Sequence, residues 1–268
     1  MGPSFGCKRH PMNRPVSPRL DVIIPAYNEG ANIRRTLQSI ARAVKTPLRV
    51  LICYDHEDDD TLPAIRNNGE ALGALEIKFV RNRGHGAHSA VLTGFAISDA
   101  PLAVVFPADD DYNAGILDAM VKEAQRGSDI VCASRFMSGG SMVGCPWLKS
   151  LIVRASNFTL YHFANVPTHD ASNGFRMFSR RTMDEIEIES TRGFCYSIEL
   201  LVKCHRLGWR VGEVPARWFE RAGGKSRFRV IKWLPAYMRW YAYAFATTYL
   251  NRSASTVPLR RPRLITES

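Results

Sequence analysis

The chain has 268 residues, 46% of them hydrophobic, which is enough to bury one sizeable α/β core. Charged residues make up 23% of the chain, and this balance excludes wholesale disorder. A formal net charge of +11 favours an anionic partner, such as an acidic membrane or a phosphorylated substrate. We expect no nucleic-acid partner, because the sequence contains no recognised nucleic-acid-binding motif.

The first elements follow a short polar segment. Residues 1–19 contain Pro, Arg and Ser without an apolar core, which is typical of a loose leader and not of a secretory signal. A buried strand is predicted at 20–25, followed by a helix at 33–44 with Asn28 as its cap. A second strand at 48–54 ends at an acidic loop, 55–60. We expect residues 56–60 of that loop to be solvated and His56 not to bind metal.

Helices and strands continue to alternate through the middle of the chain. The predicted elements are a helix at 62–72, a strand at 77–80, a glycine turn at 84–87 opening a helix to 97, a strand at 103–106, a helix at 116–126 and a strand at 130–134. This order predicts an α/β fold, a Rossmann-like and mostly parallel sheet with helices on both faces. Active sites of such sheets lie at the carboxyl ends of the strands, where the acidic clusters 55–60 and 109–111 both fall.

The second half is less regular. A helix at 148–166 is a candidate for shaping an acceptor site, a loop and strand follow at 168–178, and a helix at 196–207 precedes a strand at 211–215. Residues 20–230 are expected to form one domain. The six cysteines form no CxxC pair and are expected to be reduced residues, with Cys53 and Cys132 in the core.

Residues 231–250 form an aromatic C-terminal amphipathic segment that is expected to be helical. Lys232, Pro235 and Arg239 interrupt it, and the apolar stretch after Arg239 is too short to span a bilayer. Its Trp and Tyr residues favour a membrane-interfacial helix, although packing on the protein's own core or a dimer contact would also explain them. Residues 251–268 are expected to be a basic tail that adds attraction to anionic lipid.

Two aspartates are the first candidates for chemistry. Asp109 and Asp111 follow a buried strand and offer the hard oxygen ligands that suit Mg²⁺ or Mn²⁺ bound to a diphosphate. The alternative is a solvated acidic turn. Asp55 directly follows the second strand and is placed to accept hydrogen bonds from a base or ribose, or else is an ordinary loop aspartate.

Basic and glycine-rich segments supply candidates for phosphate binding. Arg135 follows a strand, Arg176 lies in NGFR, and Arg221, Lys225 and Ser226 lie in ERAGGKS. A guanidinium group forks onto two phosphate oxygens, and glycine lets the backbone approach closely.

Eight short stretches in order carry a family resemblance. They are DVIIPAYNEGANI, YDHEDDDT, NRGHGAHSAVLTGF, VVFPADDDYN, ASRF, HDASNGFRMF, GFCYSIELLVK and EVPARWFERAGGKSRF. From Leu20 to about Tyr249 the chain resembles family 2 glycosyltransferases of the GT-A fold, especially dolichyl- or polyprenyl-phosphate mannosyltransferases and glucosyltransferases.

The resemblance implies roles for the candidate residues. The nucleotide would lie near Pro25, Tyr27, Glu29 and Asp55, and a divalent metal, Mg²⁺ or Mn²⁺, would lie near Asp109 and Asp111. The donor diphosphate would lie near Arg135 and Arg221. The acceptor phosphate would lie near Asn173 and Arg176, and a mobile loop would carry Lys225 and Ser226. Two positions depart from the family pattern. Pro107 stands at the usual first acidic position of the metal motif, and DHEDDDT replaces the usual DDGSxDGT, which leaves guanine and uracil donors both open.

The implied activity is inverting transfer of a hexose from a GDP- or UDP-sugar to a polyprenyl or dolichyl phosphate. An acceptor phosphate is already ionised at neutral pH, so catalysis would rest on positioning and charge neutralisation without a strong general base. The expected location is the cytoplasmic face of a membrane, as a peripheral protein. The alternatives are a family 2 glycosyltransferase that uses a soluble or cell-wall saccharide acceptor, and a catalytically silent nucleotide-sugar-binding protein.

Overall fold

The computed structural model describes residues 20–67, 72–73, 75–219 and 230–260. Nine strands are present among these residues: β1 Leu20–Ala26, β2 Leu48–Tyr54, β3 Glu76–Arg81, β4 Leu102–Val105, β5 Ile130–Ser134, β6 Ser141–Val143, β7 Arg176–Ser179, β8 Val211–Pro215 and β9 Arg217–Phe219. The expected leader, 1–19, and residues 261–268 of the expected basic tail lie outside the described residues.

Eight α-helices accompany the strands in the described part of the chain. They are α1 Ile33–Ala43, α2 Thr61–Arg66, α3 Gly86–Ile97, α4 Leu117–Gln125, α5 Trp147–His162, α6 Arg180–Glu185, α7 Cys195–Leu207 and α8 Val230–Tyr249. Short 3-10 helices lie at Ala114–Ile116 and Ala254–Thr256. The alternating order predicted from the sequence is therefore confirmed, with α6, β6 and β9 as additions.

Seven strands form one sheet in the order β3-β2-β1-β4-β7-β5-β8. All neighbours pair in parallel except β7, which is antiparallel to both β4 and β5. The remaining strands, β6 and β9, pair in parallel as a separate ribbon. Because β7 runs against the others, the loop that precedes it reaches the edge at which the parallel strands end.

Two apolar layers cover the two faces of the sheet. In β1, Val22 and Ile24 pack in the layer that includes residues of α1, α2 and α4, whereas Ile23 packs in the layer that includes α3, α7 and α8. This alternation is the period of two that an extended strand imposes. The prediction of a mostly parallel α/β sheet with helices on both faces is confirmed.

Helix α3 packs closely on the sheet because position 94 is a glycine. A Cβ atom at Gly94 would lie 2.5 Å from Cγ2 of Ile23, closer than real Cβ contacts. Glycine at this position therefore lets α3 approach β1 more closely than a larger residue would allow. Four cysteines, Cys53, Cys132, Cys195 and Cys204, are buried and free, as expected for reduced core residues.

The aromatic helix α8 has one side against the protein. Trp240 is 1% exposed and Ala244 is fully buried, and both join the layer formed with α7. Only the remaining side of α8 is open to an interface, so packing on the protein's own core explains part of its aromatic content. In the described part of the chain, no helix is both long enough and apolar enough to cross a bilayer.

Candidate active site

The loops that follow β1, β2, β4 and β5 all leave the same edge of the sheet, and the loop before β7 joins them. Most of the predicted site residues lie on or just beyond this edge: Pro25, Tyr27, Glu29, Asp55, Asp109, Asp111, Arg135, Asn173 and Arg176. Arg221, Lys225 and Ser226 lie outside the described residues. The topology thus brings the nucleotide, metal and acceptor candidates to one edge.

The loops after β1 and β2 are tied together by a buried carboxylate. Asp59 is 4% exposed, and both of its oxygens lie 3.1 Å from the backbone nitrogen of Asn28. Asn28 has a φ of 51°, in the left-handed region, and Gly30 donates its backbone N–H to Asp60 at 2.8 Å. The expectation of a wholly solvated acidic loop is wrong at Asp59, because this side chain holds the neighbouring turn in place.

The same turn corrects the expected start of the first helix. Asn28 does not cap α1: it lies outside the helix, and Asn32 is the residue that precedes Ile33. Glu29 accepts a hydrogen bond from Asn32 Nδ2 at 2.9 Å, and Tyr27 remains 51% exposed. The turn between β1 and α1 therefore presents an open aromatic ring at the site edge.

Asp55 is oriented by the loop that follows β3. One carboxylate oxygen accepts from Asn82 Nδ2 at 2.6 Å, and the other accepts from the backbone nitrogen of Gly86 at 2.8 Å. Each oxygen keeps a lone pair beyond these bonds. Asp55 is therefore held in place and is chemically able to accept further hydrogen bonds from a ligand.

The three consecutive aspartates after β4 are not equivalent. Asp110 accepts from the backbone nitrogens of Tyr112 and Asn113 and from Asn113 Nδ2, at 3.0, 2.9 and 2.6 Å. Burial raises the pKa of Asp110, although these hydrogen bonds oppose the shift. The side chain of Asp110 therefore closes the turn.

Asp109, Asp110 and Asp111 are all partly exposed, and they differ in their hydrogen bonds. The side chain of Asp111 is 29% exposed, and one of its oxygens lies 3.9 Å from Nε of Arg35. Thr36 and Ser39 of α1 donate to the carbonyls of Ala108 and Asp111, which fixes the turn against α1. Two accessible carboxylates on a fixed turn fit a hard divalent cation such as Mg²⁺ or Mn²⁺, despite Pro107.

Arg135 is paired with a buried carboxylate. Its Nε and Nη2 donate to the two oxygens of Asp170 at 2.7 and 2.9 Å, and Asp170 is fully buried. Burial alone would raise the pKa of Asp170, but the charge and hydrogen bonds of Arg135 outweigh it and lower that pKa. A donor diphosphate would have to share this guanidinium with Asp170, so the implied role of Arg135 stays a prediction.

The loop before β7 uses its polar groups internally. Asn173 donates from Nδ2 to the carbonyl of Ala133 at 2.7 Å and accepts from the backbone nitrogen of Phe175 at 3.1 Å. Arg176 is fully buried, and its guanidinium donates to the carbonyls of Ala171 and Ser197. Direct contact between Arg176 and an acceptor phosphate does not fit this burial; the residue positions the loop instead.

Two residues beside this site were missed in the sequence: His169 of the loop before β7 and Glu213 of β8. His169 Nδ1 lies 2.5 Å from Oε1 of Glu213, and its ring stacks on Tyr161 of α5 at 4.1 Å. The His169–Asp170 pair stands inside the HDASNGFRMF stretch, which was the available signal. Glu213 gave no local signal, because its contact joins positions 44 residues apart.

Helix α5 carries the largest group of exposed apolar side chains beside this loop. They are Trp147, Leu148, Leu151, Ile152 and Phe158, between 53% and 76% exposed. On the opposite side of the helix, Asn157 donates to Ser172 at 2.9 Å. The helix expected to shape an acceptor site therefore touches the loop before β7 and turns an apolar face outward.

The sequence is similar to a family of glycosyl transferases and to individual glycosyltransferases. The model of a family described as glycosyl transferase family 2 matches residues 21–187, more than half of the chain. An uncharacterized glycosyltransferase of Mycobacterium tuberculosis is 27% identical over 206 residues, covering 77% of this chain and 88% of that protein. The polyprenol monophosphomannose synthase of Mycolicibacterium smegmatis is 25% identical over 229 residues, covering 79% and 85%.

Solved structures with the same fold include an enzyme with bound ligands. Glucosyl-3-phosphoglycerate synthase from Mycobacterium tuberculosis, in complex with Mn²⁺, UDP-glucose and phosphoglyceric acid, superposes with a TM-score of 0.59. The two chains are 18% identical, and the match covers 86% of this chain and 79% of that one. At this identity the likeness supports the fold alone.

Proposed function

Because the chain belongs to glycosyl transferase family 2, we propose that it transfers a hexose from a nucleoside-diphosphate sugar to the phosphate of a polyprenyl phosphate, with inversion, at a membrane surface. The donor would bind between the loops after β1, β2 and β4, close to Asp55. The acceptor phosphate would approach from the side of α5 and the loop before β7.

One observation carries the choice of acceptor: the exposed apolar face of α5. Leu151 and Ile152 are each 57% exposed on a helix whose other side contacts the loop before β7. Residues 130–169 contain no Asp or Glu, and Lys149 and Arg154 lie on the helix itself. An apolar, acid-free surface with basic neighbours suits a bilayer with anionic headgroups.

Two relatives support different acceptors. The similarity to a polyprenol monophosphomannose synthase favours a lipid phosphate. The similarity in fold to a synthase bound to phosphoglyceric acid keeps a soluble phosphorylated acceptor as the second candidate. The exposed face of α5 favours the lipid, because a soluble acceptor requires no apolar surface beside the site.

The proposed chemistry needs few specialised groups. A divalent cation held by Asp109 and Asp111 would neutralise charge on the departing diphosphate. Asp55 would accept hydrogen bonds from the nucleoside, and Tyr27 would offer it an exposed ring. Arg176 and Asn173 would fix the loop before β7 through their internal hydrogen bonds. The ionised acceptor phosphate would attack the anomeric carbon without a protein base.

A competition assay tests this function. The full-length protein is incubated with Mg²⁺ or Mn²⁺, a panel of GDP- and UDP-hexoses, and equal concentrations of a short polyprenyl phosphate and phosphoglyceric acid. We expect one donor to label the polyprenyl phosphate and to leave phosphoglyceric acid unlabelled. Labelling of phosphoglyceric acid alone would establish the soluble acceptor, and donor binding without any product would establish a silent binding protein.

A further inference from the structure

A second cluster of metal-binding side chains lies at the end of β2 and β3, apart from the acidic run at 109–111. It consists of Asp55, His56 and His85, and one ligand atom from each residue lies within 4.8 Å of the other two. In place of the expectation that His56 does not bind metal, we propose that these three residues bind a divalent transition metal such as Zn²⁺, Co²⁺ or Ni²⁺.

Sheet topology brings the three residues together. Asp55 and His56 directly follow β2, and His85 lies between β3 and α3. Strands β2 and β3 are parallel neighbours, with Tyr54 opposite Arg81, so both loops start at the same edge. The two imidazole rings lie 5.9 Å apart, centroid to centroid, at an angle of 33°.

The backbone around His85 is fixed by Asn82, which is 7% exposed. Asn82 accepts from the backbone nitrogen of Gly84 at 3.1 Å and donates to the carbonyl of Gly86 at 3.3 Å. The residues on both sides of His85 are thereby bonded to one buried side chain. Gly86 has a φ of 80°, which glycine adopts without strain, and this turn aims its N–H at Asp55.

The carboxylate ligand is pre-oriented in the same way. Asn82 Nδ2 and the Gly86 N–H each donate a hydrogen bond to one oxygen of Asp55. Hydrogen bonds of this kind commonly orient the ligands of metal sites. His56 is tied to its own loop through a hydrogen bond from the backbone nitrogen of Asp59 to its carbonyl. A metal would therefore meet ligands from two fixed loops.

The ligand set decides the class of metal. Two imidazole nitrogens and one carboxylate favour Zn²⁺, Co²⁺ or Ni²⁺, whereas Mg²⁺ prefers oxygen ligands. Ligand atoms bound at about 2 Å in a tetrahedral site lie about 3.3 Å apart. The present separations of up to 4.8 Å would therefore have to close by at most roughly 1.5 Å, shared between two side chains. Both histidines are exposed, so a metal ion and a water ligand have access.

Asp55 belongs to this cluster and also to the proposed nucleotide site, so a bound nucleotide would compete with the metal for its oxygens. Metal binding can be measured without hexose transfer, and the binding assay is therefore run without nucleotide. Millimolar Mg²⁺ is included to occupy the oxygen site at Asp109 and Asp111, where Mg²⁺ competes well, and to leave the imidazole site to Co²⁺ or Zn²⁺.

Titration of the untagged full-length protein with Co²⁺, followed by visible absorption, and with Zn²⁺, followed by calorimetry, tests the proposal. We expect one equivalent to bind, and His56→Ala and His85→Ala each to weaken binding at least roughly tenfold. His162→Ala, which removes another exposed histidine on α5, is the matched control and should bind as the wild type does. Circular dichroism verifies that each variant is folded.

Two results would overturn the site. One is the absence of a stoichiometric Co²⁺ or Zn²⁺ site in the wild-type protein. The other is binding of equal affinity in the wild type, His56→Ala and His85→Ala, which would place the metal elsewhere.

Discussion

Three consecutive aspartates after β4 show how neighbouring residues of one type acquire different roles. All three are partly exposed, but Asp110 accepts hydrogen bonds from Tyr112 and Asn113 within its own turn, whereas Asp111 lies near Arg35 of α1. The spacing in the sequence named the outer pair as candidates for a metal, and that assignment stays a prediction. It gave no indication that the middle residue closes the turn.

Replacing Asp109 or Asp111 by Asn should abolish most of the activity. We expect kcat for hexose transfer to fall roughly 100-fold or more in each variant. A neutral amide binds a divalent cation weakly, and without the cation the charge on the departing diphosphate is not neutralised. Activity is measured at saturating donor over a range of Mn²⁺ concentrations. The control is Asp110→Asn, for which we expect a loss of unfolding free energy of about 1 to 2 kcal/mol. Full activity in Asp109→Asn would remove the metal assignment.

The pair of Asp170 and Arg135 makes stability depend on pH. The folded-state pKa of Asp170 is lowered, because the charge and hydrogen bonds of Arg135 outweigh the opposing effect of burial. A lowered pKa contributes stability above the ordinary aspartate value, about 4, and the contribution is lost as the pH falls through the folded-state value.

Asp170→Asn should therefore be destabilised by about 3 to 5 kcal/mol at pH 7, since it leaves Arg135 without its buried partner. The difference from the wild type should shrink below about pH 4. Urea unfolding at a series of pH values measures both. Asp99→Asn is the control, because Asp99 also pairs with an arginine but is 77% exposed, and we expect a change below about 1 kcal/mol. A difference independent of pH would contradict this account.

At the level of elements, the two long helices of the second half differ in how much of their apolar surface is covered. The aromatic helix α8 was expected either to lie at a membrane interface or to pack on the protein's own core, and Trp240 and Ala244 pack against the layer with α7. Helix α5 instead exposes Leu151 and Ile152. Composition cannot separate these cases, because an apolar side chain is compatible with either a core or an interface until the packing partner is known.

Membrane binding should depend on the outer face of α5. We expect the double variant Leu151→Ser and Ile152→Ser to bind anionic vesicles roughly tenfold or more weakly than the wild type, since two exposed apolar side chains no longer enter the interface. Co-flotation with vesicles that contain anionic lipid measures this, with purely zwitterionic vesicles for comparison. Leu259→Ser, which removes a 47% exposed leucine near α6, is the matched control. Equal binding by all three proteins would exclude α5 as the contact.

Buried polar residues set the limit of prediction from sequence. Arg176 stands in a motif that resembles an acceptor site, yet its guanidinium is enclosed by the carbonyls of Ala171 and Ser197. Asp59 stands in an acidic run typical of solvated loops, yet it binds the backbone of Asn28, 31 residues away. Local sequence specifies which groups are present, and long-range contacts decide which of them reach solvent.

For the molecule as a whole, the alternation of strands and helices was the most reliable signal. Strands β1, β2 and β5 lie where their short apolar runs predicted, because parallel strands covered on both faces need such runs. A strand was expected near β7, but its antiparallel direction and the ribbon of β6 and β9 were not predicted, since their pairing joins segments far apart in the sequence. The parallel order alone was sufficient to place both acidic clusters at one edge.

Under the proposed function, donor and acceptor would meet at that edge. The loops after β1, β2 and β4 carry the carboxylates proposed to bind a nucleotide and a cation, and the loop before β7 contacts α5. A lipid phosphate delivered along the apolar side of α5 would reach the sugar directly. The proposed reaction would need no protein nucleophile, and a single displacement would invert the anomeric carbon.

Nuclear magnetic resonance of the lipid product tests this central claim most directly. The wild-type protein is incubated with its preferred nucleotide-hexose, Mn²⁺ and a short polyprenyl phosphate, and the anomeric configuration of the product is compared with that of the donor. The account predicts a hexose bonded to the lipid phosphate with inverted configuration. Retained configuration, or the absence of a lipid-linked hexose with every GDP- and UDP-hexose, would contradict it.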